Sequence, residues 1–120
     1  MKKIECFEDL EVWKVGFELA VEVYRVLANS KEFGLKDQIC RSAVSISSNI
    51  SEGFERNSNK EFVRFLKIAK GSAGELRTQL YIAKTVGTIS QSDADTLISK
   101  SIHTSKMLQN LITYREKLET

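Results

Sequence analysis

The chain has 120 residues, of which 42% are hydrophobic and 28% are charged. This balance is typical of a single folded domain, residues 1–120, and excludes a disordered chain. No apolar run approaches the about 20 residues of a membrane-spanning helix, so we expect a soluble protein with no membrane partner. Zero prolines and six glycines favour long helices over an all-β fold. The net charge of +2 is too small to attract nucleic acid by itself, so any such binding needs a local basic surface.

The first predicted helix, at about residues 9–29, is apolar on two sides. One row recurs every three or four positions and consists of Leu10, Trp13, Phe17, Ala20, Tyr24 and Leu27. A second row of the same period consists of Val12, Val15, Leu19, Val23 and Val26. Because a helix at the edge of a bundle needs only one apolar face, we expect this second row to contact another subunit of a homo-oligomer.

Three further helices are predicted at about residues 35–55, 59–86 and 92–118. Gly34 precedes the second helix and is expected to adopt a left-handed capping conformation. The later helix ends carry small polar residues and a glycine that are typical of caps, namely Ser58 with Glu61, Gly87, and Ser90 with Asp93. Four helices of this length with short turns predict an all-α fold, an antiparallel up-down-up-down four-helix bundle.

The middle of the third predicted helix contains Gly71 and Gly74. Each glycine costs about 1 kcal/mol in a helix relative to alanine, and close approach of another backbone is the usual reason to keep it. We therefore expect the second helix to cross the third here, where a polar network fixes the helix register: Arg41, Ser45, Asn49, Glu52, Ser72 and Glu75. A ligand or partner site is the alternative interpretation of the same row.

The third helix also concentrates basic residues along one stripe, at successive steps of 4, 3, 3, 7 and 7: Lys60, Arg64, Lys67, Lys70, Arg77 and Lys84. Rows of cations bind phosphate backbones and release counterions, so this stripe is a candidate nucleic-acid surface. The more common meaning of such a stripe is a solvated face, and no exposed aromatic residue is predicted between the cations for base stacking.

Catalytic and cofactor chemistry has no candidate residues in this sequence. His103 is the single histidine and has no carboxylate among its near neighbours. The Ser-rich segment 45–51 has no histidine nearby to activate a nucleophile, and no Glu-x-x-His pair, zinc-ligand pair or phosphate-binding glycine loop occurs. We expect no metal, no cofactor and no enzymatic activity. Two cysteines, Cys6 and Cys40, and a start without a secretion signal indicate a reducing cytoplasm.

Residues 38–53, QICRSAVSISSNISEG, closely resemble the signature of the four-helix-bundle proteins that are encoded by intervening sequences in bacterial 23S rRNA genes. Further segments resemble that family in the same order, and together they cover nearly the whole chain: FEDLEVWK at 7–14, FGL at 33–35, KEF at 60–62 and GSAGEL at 71–76. The departures from the family pattern are Cys40, Ser47, Ser51 and Arg77. Arg77 stands where an acidic residue is common.

This resemblance implies an antiparallel four-helix bundle that assembles into a five-membered ring. It also implies a relationship to the accessory variability determinant proteins of diversity-generating retroelements, which are similar pentameric bundles that engage RNA and a reverse transcriptase through basic surfaces. Nothing in the family implies an enzyme. The leading hypothesis is a non-enzymatic homo-oligomeric scaffold, with a pentamer favoured, that binds structured RNA or a ribonucleoprotein through the basic stripe. The alternative is a structural or protein-docking adaptor without nucleic-acid binding.

Overall fold

The structure is a computed structural model that describes residues 3–118. A one-turn 3-10 helix, Phe7–Asp9, precedes four α-helices. Their bounds are Glu11–Val26 for α1, Phe33–Glu55 for α2, Asn59–Val86 for α3 and Gln91–Lys117 for α4. No strand occurs in the described range. The predicted all-α class is therefore confirmed.

Neighbouring helices run antiparallel. Residue numbers increase along α2 while those of their partners on α3 decrease, since Ser42 bonds Glu75 and Ser45 bonds Ser72. The same reversal relates α3 to α4, where Lys84 binds Asp95 and Lys70 binds Gln109. Each helix packs against the next one in the chain, and α1 packs against α4, so the four helices form a closed up-down-up-down bundle. This confirms the predicted architecture.

The core lies along the bundle axis and takes large aliphatic side chains from all four helices. Each helix contributes residues separated by nearly whole numbers of turns, at steps of 4, 7, 10 or 11 in the set below, as the helical period requires. The largest fully buried side chains are Leu19, Val23, Leu27, Ile39, Ile46, Ile50, Leu66, Leu76, Leu80, Leu97, Leu108 and Ile112. One chain therefore fills its own core.

Helix ends follow the predicted chemistry except before α2. The Ser58 hydroxyl accepts from the backbone N–H of Glu61, and Gly87 ends α3 in the left-handed conformation at φ 83°. Ser90 caps α4 by accepting from Asp93 N–H. Gly34, however, is the second residue of α2 rather than a left-handed cap. Since α1 ends at Val26, the connection to α2 is longer than predicted.

Close backbone approach occurs at different glycines from those predicted. A Cβ added at Gly53 would lie 2.5 Å from the Phe65 Cβ, and one added at Gly16 would lie 3.1 Å from the Ile46 Cγ2. At Gly71 and Gly74 an added Cβ would meet no described atom within 4 Å. Gly71 and Gly74 are therefore not the points of close approach that we predicted, and the glycine at the tight α2–α3 contact is Gly53.

We predict that Gly53→Ala destabilises the fold by about 1–3 kcal/mol, because the new methyl group would overlap the Phe65 Cβ, which cannot rotate away. Gly74→Ala is the matched control. It adds the same methyl group to open space and removes a helix-interior glycine, so its free energy of unfolding should rise by up to about 1 kcal/mol. Urea denaturation of both variants measures the difference, and equal midpoints would contradict the packing at Gly53.

Candidate functional site

The two apolar rows of α1 do not divide between core and surface as predicted. Val12, Leu19 and Val23 are buried in the core of their own chain, with Val23 at 0% exposure, while Val15 and Val26 are partly buried. Of the five residues predicted as the oligomer interface, Val12, Leu19 and Val23 are therefore corrected to core residues, whereas for Val15 and Val26 the assignment stays a prediction. The exposed apolar residues of α1 are Phe17 and Tyr24 of the other row, whose Leu10, Ala20 and Leu27 are buried as predicted.

An apolar groove lies between this exposed side of α1 and α2. Phe17 and Tyr24 are 49% and 51% exposed, and Val44 of α2 is also exposed. The groove has a volume of about 500 Å³ and an almost entirely apolar surface. We call it the α1/α2 groove and define it by its lining residues, Phe17, Ala20, Val21, Tyr24, Arg25, Ala28, Val44 and Ser47.

Small residues and aromatic stacking build the groove. Gly16 and Ala20 are buried on the side of α1 that meets α2, so the two helices approach closely and bulky side chains remain outside the contact. Trp13 stacks on Phe17 with ring centroids 5.3 Å apart and an interplanar angle of 22°. Phe7 contacts Trp13 at the same centroid distance. These rings hold the Phe17 side chain at the edge of the groove.

The rim of the groove carries charges without ion-pair partners. Glu18 and Arg25 are exposed, and within residues 3–118 neither forms an ion pair. Glu22, by contrast, binds Lys100 of α4. An apolar centre with a polar, charged rim is the arrangement of a protein–protein contact surface.

The predicted basic row on α3 is divided between two neighbours. Arg64 faces the α2–α3 turn, where it binds Glu61 at 3.1 Å and lies 4.6 Å from the centre of the Phe65 ring. This hydrogen bond holds the pKa of the Glu61 carboxyl below its usual value. The later cations reach α4 instead: Lys67 binds Glu116 at 3.1 Å, Lys70 binds the Gln109 amide at 2.6 Å and Lys84 binds Asp95 at 2.7 Å.

These contacts neutralise half of the row. Arg64, Lys67 and Lys84 each have a carboxylate partner, whereas Lys70 binds a neutral amide. In the described chain no ion pair forms at Lys60 or Arg77. The row thus keeps three cations whose charge is not paired, Lys60, Lys70 and Arg77. Sequence reasoning missed Tyr81, an exposed aromatic residue between Arg77 and Lys84.

The polar contact between α2 and α3 joins four of the six predicted residues. The Ser45 and Ser72 hydroxyls are 2.9 Å apart, and the Asn49 amide donates to the Ser45 hydroxyl at 2.8 Å. Ser42, which was not predicted, donates to Glu75 at 2.8 Å. The contact is therefore a ladder of short polar side chains that links the two helices at a fixed register.

Arg41 and Glu52 do not belong to this ladder, which corrects their prediction as members. Arg41 turns outward and binds Asp37 at 2.9 Å one turn earlier in α2. Glu52 binds Arg56 at 3.2 Å near the α2–α3 turn. Both positions lie on the solvent side of α2, where a side chain finds its nearest partner on its own helix.

The cysteines and the histidine do not form a cluster with other possible metal ligands in the described range. Burial raises the pKa of the Cys40 thiol, Cys6 is exposed, and both cysteines are free. His103 is exposed. Among residues 3–118, no three His, Cys, Asp or Glu side chains lie close enough together to hold a metal ion. Within the same range, no helix has the length and apolar character needed to cross a membrane.

The fold and its surfaces define a helical-bundle protein with an exposed apolar groove. Residues 8–110 match the family model of the 23S rRNA-intervening sequence protein, so the chain belongs to that family. Among solved structures it is similar to a protein of unknown function from the S23 ribosomal protein family of Bacteroides thetaiotaomicron VPI-5482. That match has 30% identity and a TM-score of 0.79, and it covers 84% of this chain and 97% of the other. Comparison with curated proteins found no match.

We predict that Ser45→Ala lowers the free energy of unfolding by about 1 kcal/mol, since it removes the hydroxyl that contacts Ser72 and accepts from Asn49, while both keep a backbone carbonyl as acceptor. Ser48→Ala is the control, because Ser48 is exposed on the same helix and outside the ladder. Its effect should stay within about 0.5 kcal/mol. Denaturant midpoints at one protein concentration measure both, and a Ser45→Ala midpoint equal to that of the control would show that the ladder contributes no stability.

Proposed function

We propose that the chain is a non-enzymatic helical scaffold of the cytoplasm that self-associates through the α1/α2 groove. The observation that supports self-association is the groove itself. Two aromatic side chains, Phe17 and Tyr24, are half exposed on a helix that already contributes buried residues of both apolar rows to the core. Exposed apolar surfaces with a polar rim mark interaction sites on folded proteins. A five-membered ring is the assembly that the sequence resemblance implies, and it is the number of subunits we propose.

The non-enzymatic part of the proposal is supported by how the polar side chains are used. Nucleophilic catalysis needs a nucleophile, a base and a group that orients the base. The serines of α2 bond instead to structural partners, since Ser45 meets Ser72 and the Ser47 and Ser51 hydroxyls donate to backbone carbonyls of their own helix. His103 is exposed on α4 with no described partner. The groove offers contact area rather than reactive groups.

We predict that Tyr24→Lys dissociates the assembly into 13.6 kDa subunits with helicity retained, because it places a charge in the apolar groove without touching the core. Tyr114→Lys is the matched control, since Tyr114 is a tyrosine of similar exposure, 59%, on α4. Light scattering after size exclusion gives the mass, and circular dichroism gives the helicity. A wild-type protein that runs as a 13.6 kDa species at micromolar concentrations would refute self-association.

RNA binding through α3 is a second candidate function, which the unpaired cations favour. Lys60, Lys70 and Arg77 keep their charge available to phosphates, and Tyr81 adds an exposed ring between Arg77 and Lys84 that suits base stacking. Repetition around an oligomer would present these groups several times. Without nucleic-acid binding, the scaffold is a structural or protein-docking adaptor.

Filter binding with 23S rRNA fragments at two salt concentrations tests this second function. The combined variant Lys60→Gln, Lys70→Gln and Arg77→Gln should weaken binding and reduce the salt slope, because each lost phosphate contact removes counterion release. The control variant Lys14→Gln, Lys36→Gln and Arg41→Gln removes the same charge from α1 and α2 and should bind as the wild type does. Absence of wild-type binding at ~50 mM salt, where phosphate contacts are strong, would leave the adaptor function in place.

A further inference from the structure

The symmetry of the proposed assembly requires a second contact surface on each subunit. In a ring with an odd number of subunits, a surface cannot pair with its own copy, so every interface joins two different surfaces in a head-to-tail manner. The α1/α2 groove must then receive another part of a neighbouring chain. This step depends on the self-association proposed above and asks which surface fills the groove.

The outer face of α3 has the properties that such a surface needs. Three large apolar residues, Ile68, Ile82 and Val86, are 41%, 48% and 61% exposed. They lie on one side of the helix, since they are separated by 14 and 4 residues, close to whole numbers of turns. Gly71 and Glu75 lie on the same side between them. We call this set, Ile68, Gly71, Glu75, Ile82 and Val86, the α3 ridge.

Gly71 is unexplained by contacts within its own chain. It is exposed, and an added Cβ would meet no described atom within 4 Å. Its helix-breaking cost of about 1 kcal/mol is therefore not offset by packing between α2 and α3. Between two exposed isoleucines, a bare stretch of helix backbone leaves a hollow into which a side chain of another molecule can fit.

Length and charge also match between the two surfaces. The groove runs from Phe17 to Ala28, about 16 Å of helix, and the ridge from Ile68 to Ile82 spans about 21 Å, so the ridge covers the groove. Arg25 lies on the groove and Glu75 on the ridge. Within the described residues, neither forms an ion pair, so they supply opposite charges that a contact between copies would bring together.

We propose that the α3 ridge of one copy of this chain occupies the α1/α2 groove of the next copy. The exposed isoleucines cover the apolar floor that Val21 and Val44 help to form, and Gly71 gives an aromatic side chain of the groove room to approach α3. The polar ladder and the core remain within each subunit. The later cations of the basic row, Lys67, Lys70 and Lys84, lie on the side of α3 that faces α4, so they stay open to solvent in this arrangement.

A complementation experiment tests the proposal. Tyr24→Lys blocks the groove but leaves the ridge intact, and Ile82→Lys blocks the ridge but leaves the groove intact. Each variant alone should run as a 13.6 kDa monomer. Mixed in equal amounts, they should form a heterodimer and nothing larger, because one intact groove meets one intact ridge and neither free end can continue the chain. Light scattering after size exclusion distinguishes monomer, heterodimer and wild-type oligomer.

Gly71→Leu is a second ridge variant that does not add charge. Its side chain enters open space in the subunit, so the fold should keep its helicity, yet it fills the hollow and should weaken assembly at least tenfold. The Tyr114→Lys control should assemble as the wild type does.

Other outcomes would overturn the proposal in distinguishable ways. If Ile82→Lys and Gly71→Leu both assemble normally while Tyr24→Lys is monomeric, the groove pairs with a surface other than the ridge, for example with another groove in a two-fold dimer. If both single variants are monomeric but their mixture gives no heterodimer, groove and ridge do not contact each other. A monomeric wild type refutes the self-association on which this inference depends.

Discussion

A helix in a four-helix bundle turns one side toward the bundle axis, and α1 carries apolar residues on more than that side. Which residues enter the core is decided by the contact with α2. Gly16 and Ala20 are small enough for α2 to pack closely, and Leu19 and Val23 lie beside them and are buried. The aromatic side chains of Phe17 and Tyr24 are too large for that contact and remain outside. The exposed groove is thus a consequence of close packing between α1 and α2.

The charges on α3 are arranged by the same antiparallel packing. Lys67, Lys70 and Lys84 are spread along α3 and each meets a different level of α4. The ion pairs of Lys67 and Lys84 are on the surface, where such pairs contribute at most about 1 kcal/mol each. Their larger effect is to reduce the positive field of α3, so that a phosphate backbone would meet three unpaired cations rather than six. The positive field of α3 is therefore weaker than its count of basic residues indicates.

Much of the fold follows from local patterns in the sequence. The helical period, the caps at Ser58 and Ser90 and the left-handed Gly87 depend on near neighbours, and the structure has them where they were predicted. Two features depend on tertiary packing and were not predictable in this way. Periodicity identified both apolar rows of α1, but not that both contribute to the core or that Phe17 and Tyr24 remain exposed. Glycine in a helix indicated close approach, yet Gly53 has it and Gly71 does not.

Among the candidate site residues, too, some contacts were predictable from the sequence and others depended on tertiary packing. Ser45, Asn49, Ser72 and Glu75 were predicted to meet because small polar residues on facing helices have few other partners, and they do lie together. Arg41 and Glu52 have long side chains and found oppositely charged neighbours on α2 itself. Lys67 and Lys84 of α3 likewise bind carboxylates of α4. A long charged side chain has several possible partners within reach, so its position along the sequence does not by itself determine which one it contacts.

The completeness of the core constrains how any assembly forms. Large side chains from all four helices are fully buried within one chain, so a subunit does not need a partner to bury its core. Self-association would then join folded subunits, in contrast to obligate oligomers whose subunits share one core. The surfaces that remain, a groove edged by Phe17 and Tyr24 and a ridge bearing Ile82, are half exposed side chains on rigid helices. Rigid surfaces lose little conformational entropy on contact, which favours specific association from a modest apolar area.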